Sequence, residues 1–586
     1  MRWKEFFVPY TTKRPDKQQF IELKKIKQHH LFDLNYSSFT IYYIRKDFIM
    51  ISPIDMTFRR KYSVNLYKNL RFPLGEMSLY SNWLNSERGD PYPLLSKLGE
   101  AREEITREGF FKVQCATDGK TAVKRLLGQH FPYANYEMTI EDINGSVGFS
   151  FSCHADGRSV YTEETAPTVD ILFYGNENGC RVICKTIVNG ETVRTETTER
   201  FAEITVGTTV SVACRGEEFD IFADNCDTPK VLHTFTVPEF GDIRRQVNFT
   251  ACTAALYVHL PESDCIASVS GVNWFLDCGV CQADMRPIRY TDGTPMTEDG
   301  RIFFTMSSRL VKGAYQTVIS WNPTSCDFKL EGAMFFDAGD GVWCADVASS
   351  VLYDKENDKF LIWMCSFSHD HILARGISYA DVRYGINVID VELMDIESVI
   401  PHKGVDGTNP GGVPQRGRPV LEDDTTFKGK YGDEDPDFYY DSKNKCWYMT
   451  VCRGSNKTGK YEYFRFKSDD PFKGYTFLDR TGNEQETGGS TVKIGDKRYF
   501  FCGAYFDKRA CYNMYEIGED EKFHFLGNIK TDYDDGGFRG WGTVVPVKCG
   551  SRTKYMWMTF DRFLGSPSFN WSYGNIYVFE ADVEER

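Results

Sequence analysis

Most of the chain consists of short runs in which apolar and polar residues alternate, separated by turn-forming residues. Between residues 105 and 281, the runs at 136–140, 169–173 and 209–213 are of this kind, with Gly, Asn and Asp between them. A period of two residues predicts strands with one buried face. Short strands at such intervals, without a helical pattern between them, predict a β-sandwich over residues 105–281.

A longer pattern marks the C-terminal half of the chain. In residues 433–451 an acidic cluster leads into an aromatic run, which is followed by a turn at 441–444 and a second aromatic run. Turn-forming residues followed by aromatic strands recur at 298–304, 355–363, 494–501 and 549–558. Five such units, at intervals of roughly 50 to 90 residues, predict a repeated four-stranded blade.

The composition narrows the classes of function. The formal net charge of −14 over 586 residues argues against a nucleic acid as partner. The sequence holds no apolar run of about 18 residues and begins without the apolar core of a secretory signal, so we expect neither a membrane segment nor export. Eighteen cysteines without a disulfide-framework spacing are expected to be reduced thiols, which predicts a cytoplasmic location.

Two short patterns are weighed as metal sites. Cys278 and Cys281 form a CxxC pair, but no second pair follows at the spacing of a zinc ribbon. His369 and His371 lie two residues apart without a third ligand nearby in the sequence. We therefore expect no metal ion and no cofactor.

Asp435 and Pro436, followed by an aromatic strand, a turn and a second aromatic strand, resemble the five-bladed β-propeller glycoside hydrolases of families 43 and 32 and their relatives. The resemblance covers about residues 282–586, and five units in series strengthen it. Residues 210–222 look like the concanavalin-like jelly rolls that accompany such propellers. The implied fold is all-β: an extension of unclear structure at 1–104, a jelly-roll sandwich at 105–281 and a five-bladed propeller at 282–586.

The resemblance also implies candidate catalytic residues. Glycosidic cleavage needs one protonated acid at the leaving oxygen and one ionised carboxylate acting at the anomeric carbon. Family 43 uses an aspartate base in the first blade, an aspartate that tunes the pKa of the acid in the third, and a glutamate acid ahead of the fourth. The matching residues are Asp284, Asp435 and Glu486, with Asp433 and Asp437 as rivals of Asp435, and Glu484 as rival of Glu486.

Other residues near these carboxylates are candidates for substrate binding. Asp346 is an extra substrate ligand, or the base itself if Asp284 is not. Trp541 stands at the start of the fifth blade, where the family often has a histidine, which predicts a stacking surface flanked by Arg539. The full set of expected substrate-binding residues is Arg286, Trp343, Asp346, Asp437, Arg539 and Trp541.

From this resemblance we expect a hydrolase that acts on oligosaccharides and cleaves glycosidic bonds of the arabinose- or fructose-type furanosides, with inversion. Two alternatives stay open. Arg416 and Arg418 could clamp a phosphate, which would make the enzyme a glycoside phosphorylase. A propeller without turnover would be a carbohydrate-binding protein.

Overall fold

A computed structural model describes most of the chain, and all of the described residues belong to the compact unit Ile51–Arg586. The described residues are 52–66, 70–75, 89–116, 119–152, 167–176, 178–223, 231–245, 252–279, 281–309, 314–344, 346–367, 372–394, 433–454, 461–483, 485–506, 509–532, 538–562 and 573–585. Within these ranges no helix has the length and apolar character that crossing a bilayer requires. The described fold is all-β, with two short 3-10 helices at Pro53–Asp55 and Pro238–Phe240.

The first fifteen strands come before residue 280. They are β1 (Thr57–Val64), β2 (Arg71–Pro73), β3 (Leu94–Leu98), β4 (Ala101–Ile105), β5 (Phe111–Cys115), β6 (Thr121–Gln129), β7 (Asn135–Ser152), β8 (Thr168–Asn176), β9 (Gly179–Val188), β10 (Glu191–Thr197), β11 (Thr209–Arg215), β12 (Glu218–Ala223), β13 (Val231–Thr236), β14 (Thr253–Leu260) and β15 (Ile266–Asp277). All of these except β1 are hydrogen-bonded into one sheet of 14 strands.

This sheet folds into a two-layered sandwich because its long strand β7 serves both layers. The first half of β7 pairs with β11 and β15, and its second half pairs with β8 and β14. The strand changes layers near Gly145, whose φ of 140° suits glycine. Alternate side chains such as Phe149, Ile171 and Val212 are fully buried in the core between the layers. Each such side chain contributes about 1.5–3 kcal/mol to folding by leaving water.

The remaining strands form the C-terminal body together with β1. They are β16 (Cys281–Pro287), β17 (Arg289–Tyr290), β18 (Thr297–Glu298), β19 (Arg301–Arg309), β20 (Ala314–Asn322), β21 (Asp327–Asp337), β22 (Val347–Asp354), β23 (Lys359–Ser366), β24 (Ile372–Ser378), β25 (Gly385–Leu393), β26 (Asp433–Asp441), β27 (Cys446–Gly454), β28 (Tyr461–Ser468), β29 (Thr476–Arg480), β30 (Glu486–Ile494), β31 (Lys497–Phe506), β32 (Arg509–Ile517), β33 (Phe523–Asn528), β34 (Lys530–Thr531), β35 (Phe538–Cys549), β36 (Arg552–Arg562) and β37 (Tyr573–Glu585).

Twenty of these strands form five four-stranded antiparallel units, here numbered 1 to 5; β17, β18 and β34 are short additions, and a parallel pairing of β21 with β25 joins units 1 and 2 into one sheet. Their strand orders are β16-β19-β20-β21, β22-β23-β24-β25, β26-β27-β28-β29, β30-β31-β32-β33 and β35-β36-β37-β1. The first strand of each unit contacts the first strand of the next, and β35 of unit 5 contacts β16 of unit 1. The five first strands therefore close a ring, which is a propeller-like arrangement.

Apolar side chains fill the spaces between neighbouring units. Trp363 of unit 2 stacks on Phe438 of unit 3 with ring centroids 4.0 Å apart. Tyr463 of unit 3 meets Phe500 of unit 4 at 4.7 Å, and further clusters join units 4 to 5, 5 to 1 and 1 to 2. The abundant aromatic residues are thus largely core residues.

The first strand of every unit is interrupted at an equivalent place. Each register shift between the first and second strands encloses a residue with positive φ: Asp284 (52°), Ala348 (57°), Asp435 (48°), Gly488 (64°) and Gly542 (133°). Such β-bulges bend a strand and re-aim the side chain that they carry. Two of the five bulges carry an aspartate, and these are two of the expected catalytic residues.

Residues 1–104 were expected to form an N-terminal extension, but from residue 57 onwards this region contributes strands to both the sandwich and the C-terminal body. Strand β1 is the fourth strand of unit 5, where Phe58 pairs with Ala581 of β37, and the short strand β34 pairs with its other edge. Strands β2 to β4 belong to the sandwich. Burial in β1 and β3 follows no alternating pattern, because only one of the eight residues of β1 and none of the five residues of β3 is buried. Sequence periodicity therefore gave no signal for them.

Candidate active site

Asp435 lies at the bulge in the first strand of unit 3, and its side chain is buried. Its Oδ2 accepts a hydrogen bond of 2.7 Å from the main-chain N–H of Gly488, at the equivalent bulge of unit 4. Its Oδ1 lies 3.7 Å from Nη2 of Arg286. The pKa of Asp435 is raised to about 7: burial is the largest cause and the charges of Asp284 and Glu434 add to it, while Arg286 and the Gly488 N–H act in the opposite direction.

Asp284 holds the same bulge position in unit 1 and is the second carboxylate of the site. Its Oδ2 lies 3.8 Å from Nη2 of Arg309, at the end of β19. Because the charge of Asp284 raises the pKa of Asp435, the two carboxyl groups interact across the ring. The structure therefore brings together the two aspartates that were 151 positions apart in the sequence numbering, from Asp284 to Asp435.

Arg286 follows Asp284 on the same strand and lies beside both carboxylates. Its side chain is buried, and its Nη1 donates a hydrogen bond of 2.9 Å to the carbonyl oxygen of Pro436. Its Nη2 makes no hydrogen bond within the described part of the chain. Burial is the largest single effect and lowers the pKa of the guanidinium, but Asp435, Tyr463, Asp437 and Asp284 together outweigh it, so the pKa is raised. Arg286 is thus a permanent cation within the site.

Glu486 lies two residues before the bulge of unit 4, so its carboxylate occupies a different position from those of Asp284 and Asp435. Its Oε1 accepts hydrogen bonds from Nδ2 of Asn513 at 2.6 Å and from the hydroxyl of Tyr515. Its Oε2 has no hydrogen-bond partner among the described residues, and burial raises the pKa of the carboxyl. Glu486 is therefore anchored within its own unit, while Gly488 of the same strand binds Asp435.

The two rivals of Asp435 are buried in ion pairs. Asp433 accepts a hydrogen bond of 2.9 Å from Nε of Arg453, and Asp437 accepts one from Arg289 and another of 2.9 Å from the Thr491 N–H. Both oxygens of Asp437 therefore accept hydrogen bonds from the protein, and its contact with substrate stays a prediction.

Arg289 shows why Asp437 is held so firmly. Its guanidinium also reaches the carbonyl oxygens of Phe438 in unit 3 and Thr491 in unit 4, and the hydroxyl of Ser350 in unit 2. One buried arginine on β17, the short strand between β16 and β19 in the sequence, is therefore hydrogen-bonded to units 2, 3 and 4. Arg289 and its ion pair with Asp437 thus connect three of the five units.

The remaining expected binding residues are scattered. Asp346 is buried in unit 2 and accepts a hydrogen bond of 2.9 Å from Ser366. Trp343 was expected to bind substrate, but it packs in the aromatic cluster between sandwich and ring, with its ring centroid 5.6 Å from that of Phe335. Its carbonyl oxygen accepts a hydrogen bond of 2.7 Å from Tyr133 of the sandwich. Arg539 and Trp541 lie on β35, and their side chains are outside the described part.

Several other expectations fall outside the described residues. They concern Glu484, His369, His371, Arg416 and Arg418. Within the described residues, no three His, Cys, Asp or Glu side chains are grouped so as to hold a metal ion. Cys278 of the CxxC pair is a buried free thiol that donates to the carbonyl oxygen of Leu66 at 2.9 Å.

Three contributors to the site were not expected from the sequence: Arg309, Tyr463 and the main-chain N–H of Gly488. The Tyr463 hydroxyl accepts a hydrogen bond from the Gly489 N–H, and burial and the charge of Asp435 raise its pKa far above the usual value. A signal was present for Gly488, because Asp435 and Gly488 stand equally far ahead of the strand ends Asp441 and Ile494. Alignment of the units on these strand ends would have found it.

No protein-family model matches the chain, and none of the curated proteins matches it. Solved structures resemble about half of it. The levansucrase of Bacillus subtilis aligns with 51% of this chain over 86% of its own length, at 11% identity and a TM-score of 0.36. An exo-β-1,3-galactanase from Clostridium thermocellum aligns with 50% of this chain but over only 59% of its own length, at 13% identity and a TM-score of 0.33.

An α-L-arabinofuranosidase from Podospora anserina, in complex with cellotriose, aligns with 51% of this chain over 92% of its own length. The identity is 10% and the TM-score 0.33. Similarities at these scores describe part of a fold and carry no argument about the activity of this chain.

Proposed function

We propose that this protein is a glycoside hydrolase that acts on oligosaccharides, with furanosides of the arabinose or fructose type as its substrate class. One observation supports the proposal above the others: the buried Asp435 and the partly buried Asp284 occupy equivalent bulges of a closed ring and interact electrostatically beside one arginine. Glycosidases need two carboxyl groups whose environments hold them in different protonation states. Asp284 and Glu486 are proposed as these two groups, because burial raises the pKa of Glu486 and favours its protonated form. Asp435 is the third carboxyl group, which tunes the acid.

The proposed architecture has an N-terminal jelly roll over residues 105–281 and a five-bladed propeller over residues 282–586, with units 1 to 5 as blades. Strand β1 would then close the last blade from the N-terminal side. A cytoplasmic location remains a prediction from the cysteine usage.

In the proposed mechanism Asp284, ionised, acts as the base that draws a proton from the attacking water. Glu486 acts as the acid at the leaving oxygen, since burial raises its pKa and favours its protonated form. Asp435 tunes the acid, as the resemblance to family 43 implies. Inversion requires carboxyl groups roughly 6.5–9.5 Å apart, which leaves space for a water molecule.

The decisive experiment measures product release from aryl arabinofuranosides, fructofuranosides and xylosides, with and without phosphate. Wild type would be compared with Asp435→Asn, Asp284→Asn and Glu486→Gln. Asp441→Asn is a matched control, because Asp441 ends the same strand as Asp435 and binds the turn amides of Lys443 and Asn444. We expect the three site variants to lose at least about 100-fold in kcat, as is typical for the loss of an acid or base, and the control to keep its activity.

Each other outcome selects a different function. Turnover that needs phosphate would identify a glycoside phosphorylase. Sugar binding without turnover of any substrate would identify a carbohydrate-binding protein. Hydrolysis that survives all three site substitutions would place the chemistry at other residues.

A further inference from the structure

Strand β26 carries three aspartates in alternate positions, and each faces an arginine. Asp433 faces Arg453 and Asp437 faces Arg289, and in both pairs the guanidinium donates hydrogen bonds directly to the carboxylate. The middle pair is different. Arg286 Nη2 stays 3.7 Å from Asp435 Oδ1, without a hydrogen bond between them. The middle aspartate therefore has a nearby cation but no direct hydrogen bond to it.

The position of Arg286 is set by a neutral partner. Its Nη1 donates to the carbonyl oxygen of Pro436, the residue after Asp435, at 2.9 Å. This bond ties the guanidinium to the backbone of β26 next to the bulge. The guanidinium thus has an anchor beside Asp435 that is independent of the Asp435 carboxyl group.

The other described groups around Asp435 are neutral or acidic. The acidic groups are Asp284 on β16 and Glu434 on β26. The neutral groups are the Gly488 N–H on β30 and three side chains that keep their protons at neutral pH: Cys365 on β23, Cys452 on β27 and Tyr463 on β28. Arg286 therefore supplies the one full positive charge among the described groups that act on Asp435. A buried carboxylate without a nearby cation takes up a proton, since burial disfavours its charged form.

We propose that Arg286 is a positioning residue that sets the charge on Asp435. With Arg286 in place, Asp435 loses its proton near neutral pH; without that charge it stays protonated well into the alkaline range. The pKa of about 7 is consistent with this balance between burial and Arg286. The consequence for turnover rests on the proposed glycosidase function, because only an ionised Asp435 would tune the acid of the reaction.

The Gly488 amide provides a direct reporter, since it donates to Asp435 Oδ2 and its resonance should shift when Asp435 ionises. The experiment follows 15N-glycine-labelled full-length protein by TROSY NMR from pH 5 to 9. Asp435→Asn identifies the resonance, because only that variant abolishes the titration. This measurement needs no substrate.

Four variants test the assignment. Arg286→Gln keeps an N–H near the Pro436 carbonyl but removes the charge, and we expect the midpoint to rise by about one to three pH units. Arg286→Met provides a second neutral variant if the glutamine variant fails to fold. Arg286→Lys keeps the charge and is expected to titrate near the wild-type midpoint. Arg309→Met removes a cation beside Asp284 instead, and should shift the midpoint less than Arg286→Gln does.

An unchanged midpoint in both neutral variants would overturn the proposal, and so would an equal shift in Arg309→Met. If the protein hydrolyses glycosides, the pH profile of kcat should move in the same direction and by the same amount as the amide titration. A shifted amide titration in a protein without turnover would uphold the role of Arg286 and reject the glycosidase function. The role of Arg286 and the glycosidase function can therefore be rejected independently of each other.

Discussion

The main-chain N–H of Gly488 donates a 2.7 Å hydrogen bond to Oδ2 of Asp435, and so connects the bulges of two neighbouring units. The glycine has φ of 64°, a conformation in which a side chain is strained. Its amide can point at the carboxylate because the strand turns at this bulge. The carboxylate is thereby oriented from the next unit while its other oxygen faces Arg286.

The raised pKa of Asp435 predicts a pH-dependent stability. Because the folded-state pKa of about 7 lies above the usual 3.8, the folded protein keeps a proton that the unfolded chain has lost between these pH values. The stabilisation is complete below about pH 4 and is lost as the pH rises to about 7, at up to about 1.4 kcal/mol per pH unit. Asp435→Asn should remove this slope, as measured by urea unfolding at pH 5, 6, 7 and 8. The prediction would be contradicted if the free energy of unfolding changed with pH equally in wild type and variant.

The ion pair between Arg289 and Asp437 is expected to stabilise the ring. Asp437→Ala leaves a buried guanidinium without its carboxylate and should lower the free energy of unfolding by about 3–5 kcal/mol. The control is Glu392→Ala, which breaks an exposed ion pair with Arg375 and should cost less than about 1 kcal/mol. Chemical denaturation measures both. Equal losses in the two variants would show that Arg289 does not join the units as described.

Strand β1 is expected to be required for the stability of unit 5. Phe58 is fully buried, with its ring centroid 6.2 Å from that of Trp557, so Phe58→Ala should lower the free energy of unfolding by about 3–5 kcal/mol. Arg59→Ala, at an exposed position of the same strand, should change it by less than about 0.5 kcal/mol. A negligible effect of Phe58→Ala would mean that residues 57–64 are dispensable.

The proposed acid role of Glu486 predicts a dependence on the leaving group. Glu486→Gln should impair substrates with poor leaving groups far more than aryl glycosides with acidic phenols, because the latter depart without a proton. The test compares kcat/KM across a series of aryl glycosides. Tyr515→Phe removes a hydrogen bond to Oε1 that lowers the pKa of Glu486, and is expected to move the alkaline limb of the pH profile, where the acid loses its proton, to higher pH. Uniform losses across the series would assign Glu486 a structural role within unit 4.

The sequence by itself determined the all-β class, because alternation and turn residues are local properties of the chain. It also singled out the strand that holds Asp435, since an acidic cluster, an aromatic run and a turn follow one another there. Asp284 was assigned from the resemblance to family 43, as the aspartate of the first blade. Both aspartates lie where the ring brings its first strands together.

The tertiary structure decided which charges face one another. Asp433, Asp435 and Asp437 alternate along one strand and look alike in the sequence, yet Asp433 and Asp437 accept hydrogen bonds from arginines and Asp435 has its arginine only at 3.7 Å. Two of these arginines, Arg286 and Arg289, lie about 150 positions earlier in the chain. Likewise, Trp343 joins the interface with the sandwich because Tyr133, 210 positions earlier, packs there. Burial and pairing depend on contacts between residues far apart in the chain, and a local pattern contains no information about such contacts.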